Sequence, residues 1–182
     1  MASHYDQAGF LSRDRAISSS ADGRMQGGTD QRSSATPNAR IHVGDNVVTL
    51  EEGRVSGSSP SDFRNVTDED LFNYLAYTSS LVPAERDSFF LSGSLTELSS
   101  LESTFELGYV KNITHSTFSP APIFTAFEEV PISISAANQF NPFAEDIVDT
   151  RIRLLGLGPR VQTNKSETFR ANSKLMGTLR DG

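Results

Sequence analysis

Apolar positions along this chain recur in two rhythms, and long polar stretches flank both. Ile41 and Val43 alternate with Arg40 and His42, Gly44-Asp45-Asn46 supplies a turn, and Val47, Val48 and Leu50 resume the apolar run. That pattern predicts a β-hairpin over residues 39–55, because a two-residue period puts one side of each strand on a core. Gly57-Ser58-Ser59-Pro60 then breaks the chain, so residues 39–61 read as a hairpin and linker.

A three-to-four-residue rhythm follows. Thr67 is a good N-cap, Asp68, Glu69 and Asp70 fill a first turn, and Val66 with Leu71 form a staple around an acidic capping box. Leu71, Phe72 and Leu75 continue the stripe, which predicts a helix ending before Pro83. Pro83 suits the first position of a second short helix anchored by Phe89, Phe90 and Leu91. Ser94 and Glu97 cap a third, with Leu95, Leu98, Leu101 and Phe105 at helical spacing. From Phe105 the pattern turns to alternation, placing Phe105, Leu107 and Tyr109 on one face of a strand. In residues 118–136, Pro120, Pro122 and Pro131 punctuate extended segments, which fits edge strands because proline cannot donate to a ladder.

The densest signals lie in 141–160. Asn141 and Pro142 open a helix, Glu145 and Asp146 fill its first turn, and Gly156 sits where it could stop. A helix through about Asp149 is the expectation. For 150–157 two readings stay open, because Val148, Thr150, Ile152 and Leu154 also alternate with Asp149, Arg151 and Arg153 in a strand period. The predicted class is α+β: a small acidic body of short helices with a few β-strands or edge segments over 62–158, between extended polar arms.

Composition sharpens the picture of the arms. Hydrophobic residues make up 36% of 182 without the 13 Gly, low beside an average domain, which is roughly 45–50% apolar once Gly is counted, so part of the chain lies outside any core. Residues 1–38 are rich in Ser, Gly, Gln, Asp and Arg, with only Phe10, Leu11, Ile17 and Met25 as large apolar residues. They read as a disordered or extended N-terminal arm. Residues 159–182 read as a basic C-terminal arm with isolated anchors Phe169, Leu175, Met176 and Leu179.

Charge is segregated. Residues 1–61 carry a net -1, residues 62–149 a net -11, and residues 150–182 a net +5. So acidic a body repels a phosphate backbone, which disfavours direct nucleic-acid binding. The basic end is either a solvated tail or a group that docks on an acidic surface, such as a neighbouring copy.

Candidate chemistry is sparse. The chain has no cysteine, which removes disulfides, Cys-ligated metals and thiol catalysis. Gly156-Leu157-Gly158-Pro159 lacks the Lys-Ser/Thr of a phosphate loop and reads as a turn. His4, His42 and His115 share no metal-ligand spacing, and the acidic run at 68–70 is explained by capping. No GxSxG occurs, and the three Asn-x-Ser/Thr triplets at Asn65, Asn112 and Asn164 carry no weight in so Ser- and Thr-rich a chain. No apolar run approaches the roughly 18–20 residues of a membrane span, and residues 1–20 lack the apolar core of a signal peptide.

The expectation is a non-enzymatic structural subunit of a large protein assembly, without cofactor or metal. The setting is a virion, as a tailed-phage capsid, neck, tail or baseplate component, or the cytoplasm of the producing cell. Its partners would be other protein subunits, gripped through Phe10, Leu11, Arg151, Arg153, Arg160, Phe169, Arg170 and Leu175. A soluble adaptor binding one partner through its N-terminus is the alternative, and a small hydrolase with a non-local site is the second.

Overall fold

In the computed structural model, which describes residues 1–97 and 101–177, strands make up 51% of the chain and no helix reaches seven residues. The expected α+β body of short helices is overturned: the fold is mostly antiparallel β-sheet. The strands are β1 (Ala2–Gln7), β2 (Phe10–Leu11), β3 (Arg40–Val43), β4 (Asn46–Leu50), β5 (Phe63–Asn65) and β6 (Ser79–Leu81). Then come β7 (Ala84–Glu97), β8 (Leu101–Phe118), β9 (Pro122–Phe124), β10 (Ile147–Arg153) and β11 (Arg160–Gly177).

The chain divides into two units. One takes Met1–Phe10 and the described parts of Leu81–Ser116 and Val161–Gly182; the other takes Leu11–Ser80 and Thr117–Arg160. Residues 1–38 thus supply β1 to the first unit and an irregular segment to the second. The described part of 159–182 is β11, and the expected 62–158 body is shared between the units.

The first unit is a four-stranded sheet in the order β1-β7-β8-β11. β7 and β8 form a hairpin whose register runs from Ala84↔Thr114 to Glu97↔Leu101. Side-chain bonds from Tyr109 to Glu167, His115 to Thr163 and Asn172 to Glu106 run in opposite senses along β8 and β11, so that pair is antiparallel too.

The second and third helices fail here for a definable reason. The third helix rests on Leu95, Leu98, Leu101 and Phe105, spaced by three and four; the spacing of four from Leu101 to Phe105, like that from Leu91 to Leu95, keeps residues together on a helix and equally on a strand. Pairing along the whole length of β7 resolves the ambiguity towards the strand. Leu98 lies outside the described residues. The alternation of Phe105, Leu107 and Tyr109 is present in β8.

The second unit is built on a five-stranded antiparallel sheet, β5-β4-β3-β10-β9. The expected hairpin is β3–β4, closed by Gly44-Asp45 with Val43 opposite Asn46. Gly44 has φ 52°, a left-handed value that a tight two-residue turn requires. Proline-bearing β9 lies at the sheet edge, as its missing N–H demands.

The helix at Thr67 stops after one turn. Asp70 Oδ2 does accept the Thr67 N–H at 2.8 Å, but the segment forms just two separate 3-10 turns, Asp68–Asp70 and Tyr74–Tyr77. Phe72 N–H and C=O then pair with Ser33, each bond 2.9 Å, which pulls the backbone out of a helical path. A cap lowers the cost of a helix nucleus, but Phe, Asn, Tyr and Thr beyond it propagate poorly.

The helix expected from Asn141 is likewise absent. Asn141 Oδ1 accepts the Phe143 N–H at 2.9 Å, a local turn, and the chain enters β10 at Ile147. The strand alternative for the second half is the observed one up to Arg153; Leu155–Leu157 then forms a 3-10 turn.

Candidate functional site

Two regions combine chemistry-bearing side chains with unusual surroundings. The first is the inward side of β10. Ile147, Asp149 and Arg153 are buried while Val148 is 53% exposed, so the strand turns its charged residues inward. Arg151 Nε donates to Asp149 Oδ2 at 2.6 Å, the Ala126 N–H donates to Asp149 Oδ1 at 3.2 Å, and Arg151 Nη1 reaches Ser34 Oγ at 3.0 Å. These donors hold the Asp149 carboxyl below the ordinary range, although burial pulls the other way.

Arg153 is bound by neutral oxygens. Nη1 donates to Ser119 Oγ (3.2 Å) and Pro120 O (2.9 Å), Nη2 donates to Ser33 Oγ (2.7 Å), and the guanidinium lies 4.9 Å over the Phe72 ring. Among the described residues no carboxylate lies within salt-bridge distance of it, and burial lowers its pKa from the usual value. These bonds tie 33–36, 119–121 and β10 together. They make Arg153 a clamp within the unit.

His42 faces the same cluster. Its Nε2 is 3.8 Å from Asp149 Oδ2, too far for a hydrogen bond, and Arg151 already occupies that oxygen. Burial, then the Arg151 charge, lowers the His42 pKa. His115 Nδ1 lies 3.0 Å from Thr163 Oγ1 on an exposed stretch. Among the described residues no three His, Asp or Glu side chains converge as metal donors, and no helix is long and apolar enough to cross a membrane.

The second region is the four-stranded sheet. Because Phe89 pairs with Tyr109 and β8 contacts β11 odd to odd, the odd-numbered side chains of β7, β8 and β11 share one face. That face carries Phe89, Leu91, Leu95, Leu101, Phe105, Phe169 and Leu175, all between 37% and 71% exposed. The Phe105 ring lies directly over Gly93, where any Cβ would collide with it. Glycine leaves room for the aromatic ring to cross the strand there.

The opposite face is mostly polar. It holds an open cleft of about 340 Å³ lined by Arg86, Ser88, Phe90, Glu106, Thr168 and Arg170. At the β1 end the apolar face gives way to charge, with His4 Nδ1 2.7 Å from Asp87 Oδ1. The Asp87 carboxylate raises the His4 pKa.

Of the residues anticipated as partner contacts, the sheet brings together Phe169, Arg170 and Leu175 on exposed β11. Arg151 and Arg153 are engaged internally as described. Arg160 Nε donates to Ser119 O at 2.9 Å with its guanidinium 6.0 Å over Phe118. Phe10 and Leu11 are half-buried in β2.

The apolar residues of β7 and β8 went unassigned as contacts, although their even spacing was the signal. No family model matches this chain, and no curated protein and no solved structure matches it.

Proposed function

We propose that this chain is a structural subunit of a protein assembly, joined to other subunits through its four-stranded sheet. The observation that carries this is the uncovered apolar face: seven large side chains stand exposed on one side of a single layer. A sheet ordinarily buries one face against another layer. Each large apolar side chain gains about 1.5–3 kcal/mol when fully buried, and contiguous patches of this kind mark interaction surfaces.

Polar termini, charge segregation and the lack of a recognisable catalytic motif make a virion, such as a tailed-phage particle, the proposed setting. Recovery of the chain with purified particles of the encoding virus tests that setting. Failure to find it there removes it.

The assembly itself is tested by sedimentation velocity of the full chain from about 1 to 100 μM. The wild type should sediment as oligomers, and a Leu95→Asp, Phe105→Asp variant as a folded monomer. A wild type that stays monomeric throughout overturns the proposal.

A further inference from the structure

The charged end of the apolar face carries a pattern of its own. His115 meets Thr163 and Glu106 meets Asn172 in one antiparallel register of β8 and β11, which sets Lys111 beside Glu167 and Ile113 beside Lys165. On the other side of β8, Asp87 pairs with Lys111 and Glu85 with Ile113, and β1 adds His4 beside Asp87 and Asp6 beside Glu85. One row across the four strands therefore reads His4, Asp87, Lys111, Glu167. It alternates in sign, because the hydrogen bond from Asp87 raises the His4 pKa and favours its cation. The next row reads Asp6, Glu85, Ile113, Lys165. Both rows project from the same face as Phe89, Leu91, Leu95, Leu101 and Phe105.

We infer that this face is covered by the same face of a second copy, related by a two-fold axis running along the strands between β7 and β8. The inference rests on the assembly reading above and names its partner and contact. Such an axis reverses the strand order, so β1 lies on β11 of the second copy and β7 lies on its β8. His4 then meets Glu167, Asp87 meets Lys111 and Asp6 meets Lys165 of the second copy, three pairs of opposite charge, each made twice. Position along the strand is kept, so apolar side chains lie on apolar ones. Phe89 and Leu91 face Tyr109 and Leu107 of the second copy, and the Phe105 rings, each leaning over Gly93, meet near the axis. An axis across the strands instead lays the charged rows on Leu101 and Phe105, which removes their water without supplying a counter-charge.

Two stacked copies supply the second layer that a single sheet lacks, as in an aligned sandwich. β1 has six residues and β7 fourteen, with equal lengths of β8 and β11 beside them. At about 4.8 Å between strands and about 3.4 Å per residue, the footprint is about 800 Å² per copy. That is the area per partner of a standard stable interface, here with an apolar centre and a charged rim. Because the patch complements itself, the contact closes as a dimer, the unit that a larger assembly would repeat.

Charge reversal tests the pairing. Lys111→Glu and Asp87→Lys each set like charges together across the axis, so each variant alone should bind itself at least about tenfold more weakly than the wild type in sedimentation velocity. Mixed in equal amounts, the two variants bring Asp87 of one against Lys111 of the other and set the two introduced charges together. The mixture should return to dimer. Asp6→Lys with Lys165→Glu repeats the test on the outer strands, where both side chains are exposed. This second pair decides the matter where circular dichroism shows that a variant of the first has lost its fold.

Variants that associate as the wild type does, or mixtures of both pairs that stay dissociated, would overturn the inference. With the wild type still oligomeric, the assembly reading would stand on some other contact. A wild type that is monomeric at every concentration would overturn both.

Discussion

The five-stranded unit and the four-stranded unit solve the same problem with opposite materials. The first buries polar groups: Ser12, Thr36, Thr49, Asp62, Ser119, Asp149 and Arg153 are enclosed beside the apolar Ala21, Ala35, Val43, Pro120 and Ile147. The second exposes apolar ones and, among its described residues, fully buries none of them. A buried polar group is stable where its hydrogen bonds are met inside the unit, and the first unit meets most of them, with Thr36 Oγ1, Arg40 Nε, His42 Nε2 and Arg153 Nε buried without a hydrogen-bond partner among the described residues. An exposed apolar face gains energy only when something else covers it. One unit is held largely by internal hydrogen bonds, and the other leaves an apolar face uncovered.

The largest effect should follow from breaking that internal satisfaction. Arg153→Ala removes three hydrogen bonds and leaves a void beside Phe72. A loss of about 1–3 kcal/mol is expected, because the neutral acceptors Ser33 Oγ, Ser119 Oγ and Pro120 O lose their buried donor. Urea unfolding read by hydrogen exchange at Val43 and Ile147 checks it, and an unchanged midpoint would show that the clamp is dispensable.

Acid should act on the same unit. Asp70, paired with both Arg64 Nη atoms at 2.8 and 2.5 Å, and Asp30, paired with Arg32 at 2.7 Å, have carboxyl pKa values of about 2. Folded values below the unfolded ones mean that their stabilisation is fully present above about pH 4 and is lost as pH falls towards 2. The melting temperature should therefore drop across that window. In Asp70→Asn the drop should be shallower, because one of the two titrations is gone.

The smallest intrinsic effect should come from the other unit. Phe169→Ser or Leu175→Ser, at dilutions where the chain is monomeric, should change unfolding free energy by less than about 0.5 kcal/mol, as exposed positions do. At high concentration the same substitutions should weaken association. A large loss of monomer stability would mean that this face is already covered within the chain, and the contrast between the units would disappear.

Much of the local chemistry was legible in advance. The β3–β4 hairpin followed from alternation around Gly44-Asp45, the edge position of β9 from its proline, and the turn before β11 from Gly156 and Gly158, the latter with φ 72°. The cap at Thr67 and Asp70 was also read correctly as a cap, though it closes a single turn. Residues 11–38 resisted reading because their order comes from ion pairs and backbone bonds rather than apolar periodicity. Arg24 and Arg32 knit Asp22 and Asp30 together, and Ser33 pairs with Phe72.

By itself, then, the sequence determined the Gly44-Asp45 turn, the cap at Thr67, the proline edge and the sign of charge along the chain. Each depends on a few adjacent residues whose backbone preference or charge does not need a partner. Only the tertiary structure decided whether Leu91, Leu95, Leu101 and Phe105 lie on helices or on β7 and β8, because a spacing of four satisfies both periods. It also decided that β10 faces its charged side inward, which requires Asp149, Arg151, Ser33, Ser119 and the Pro120 carbonyl to meet from distant parts of the chain. Long-range pairing sets both outcomes, and no local window of residues contains it.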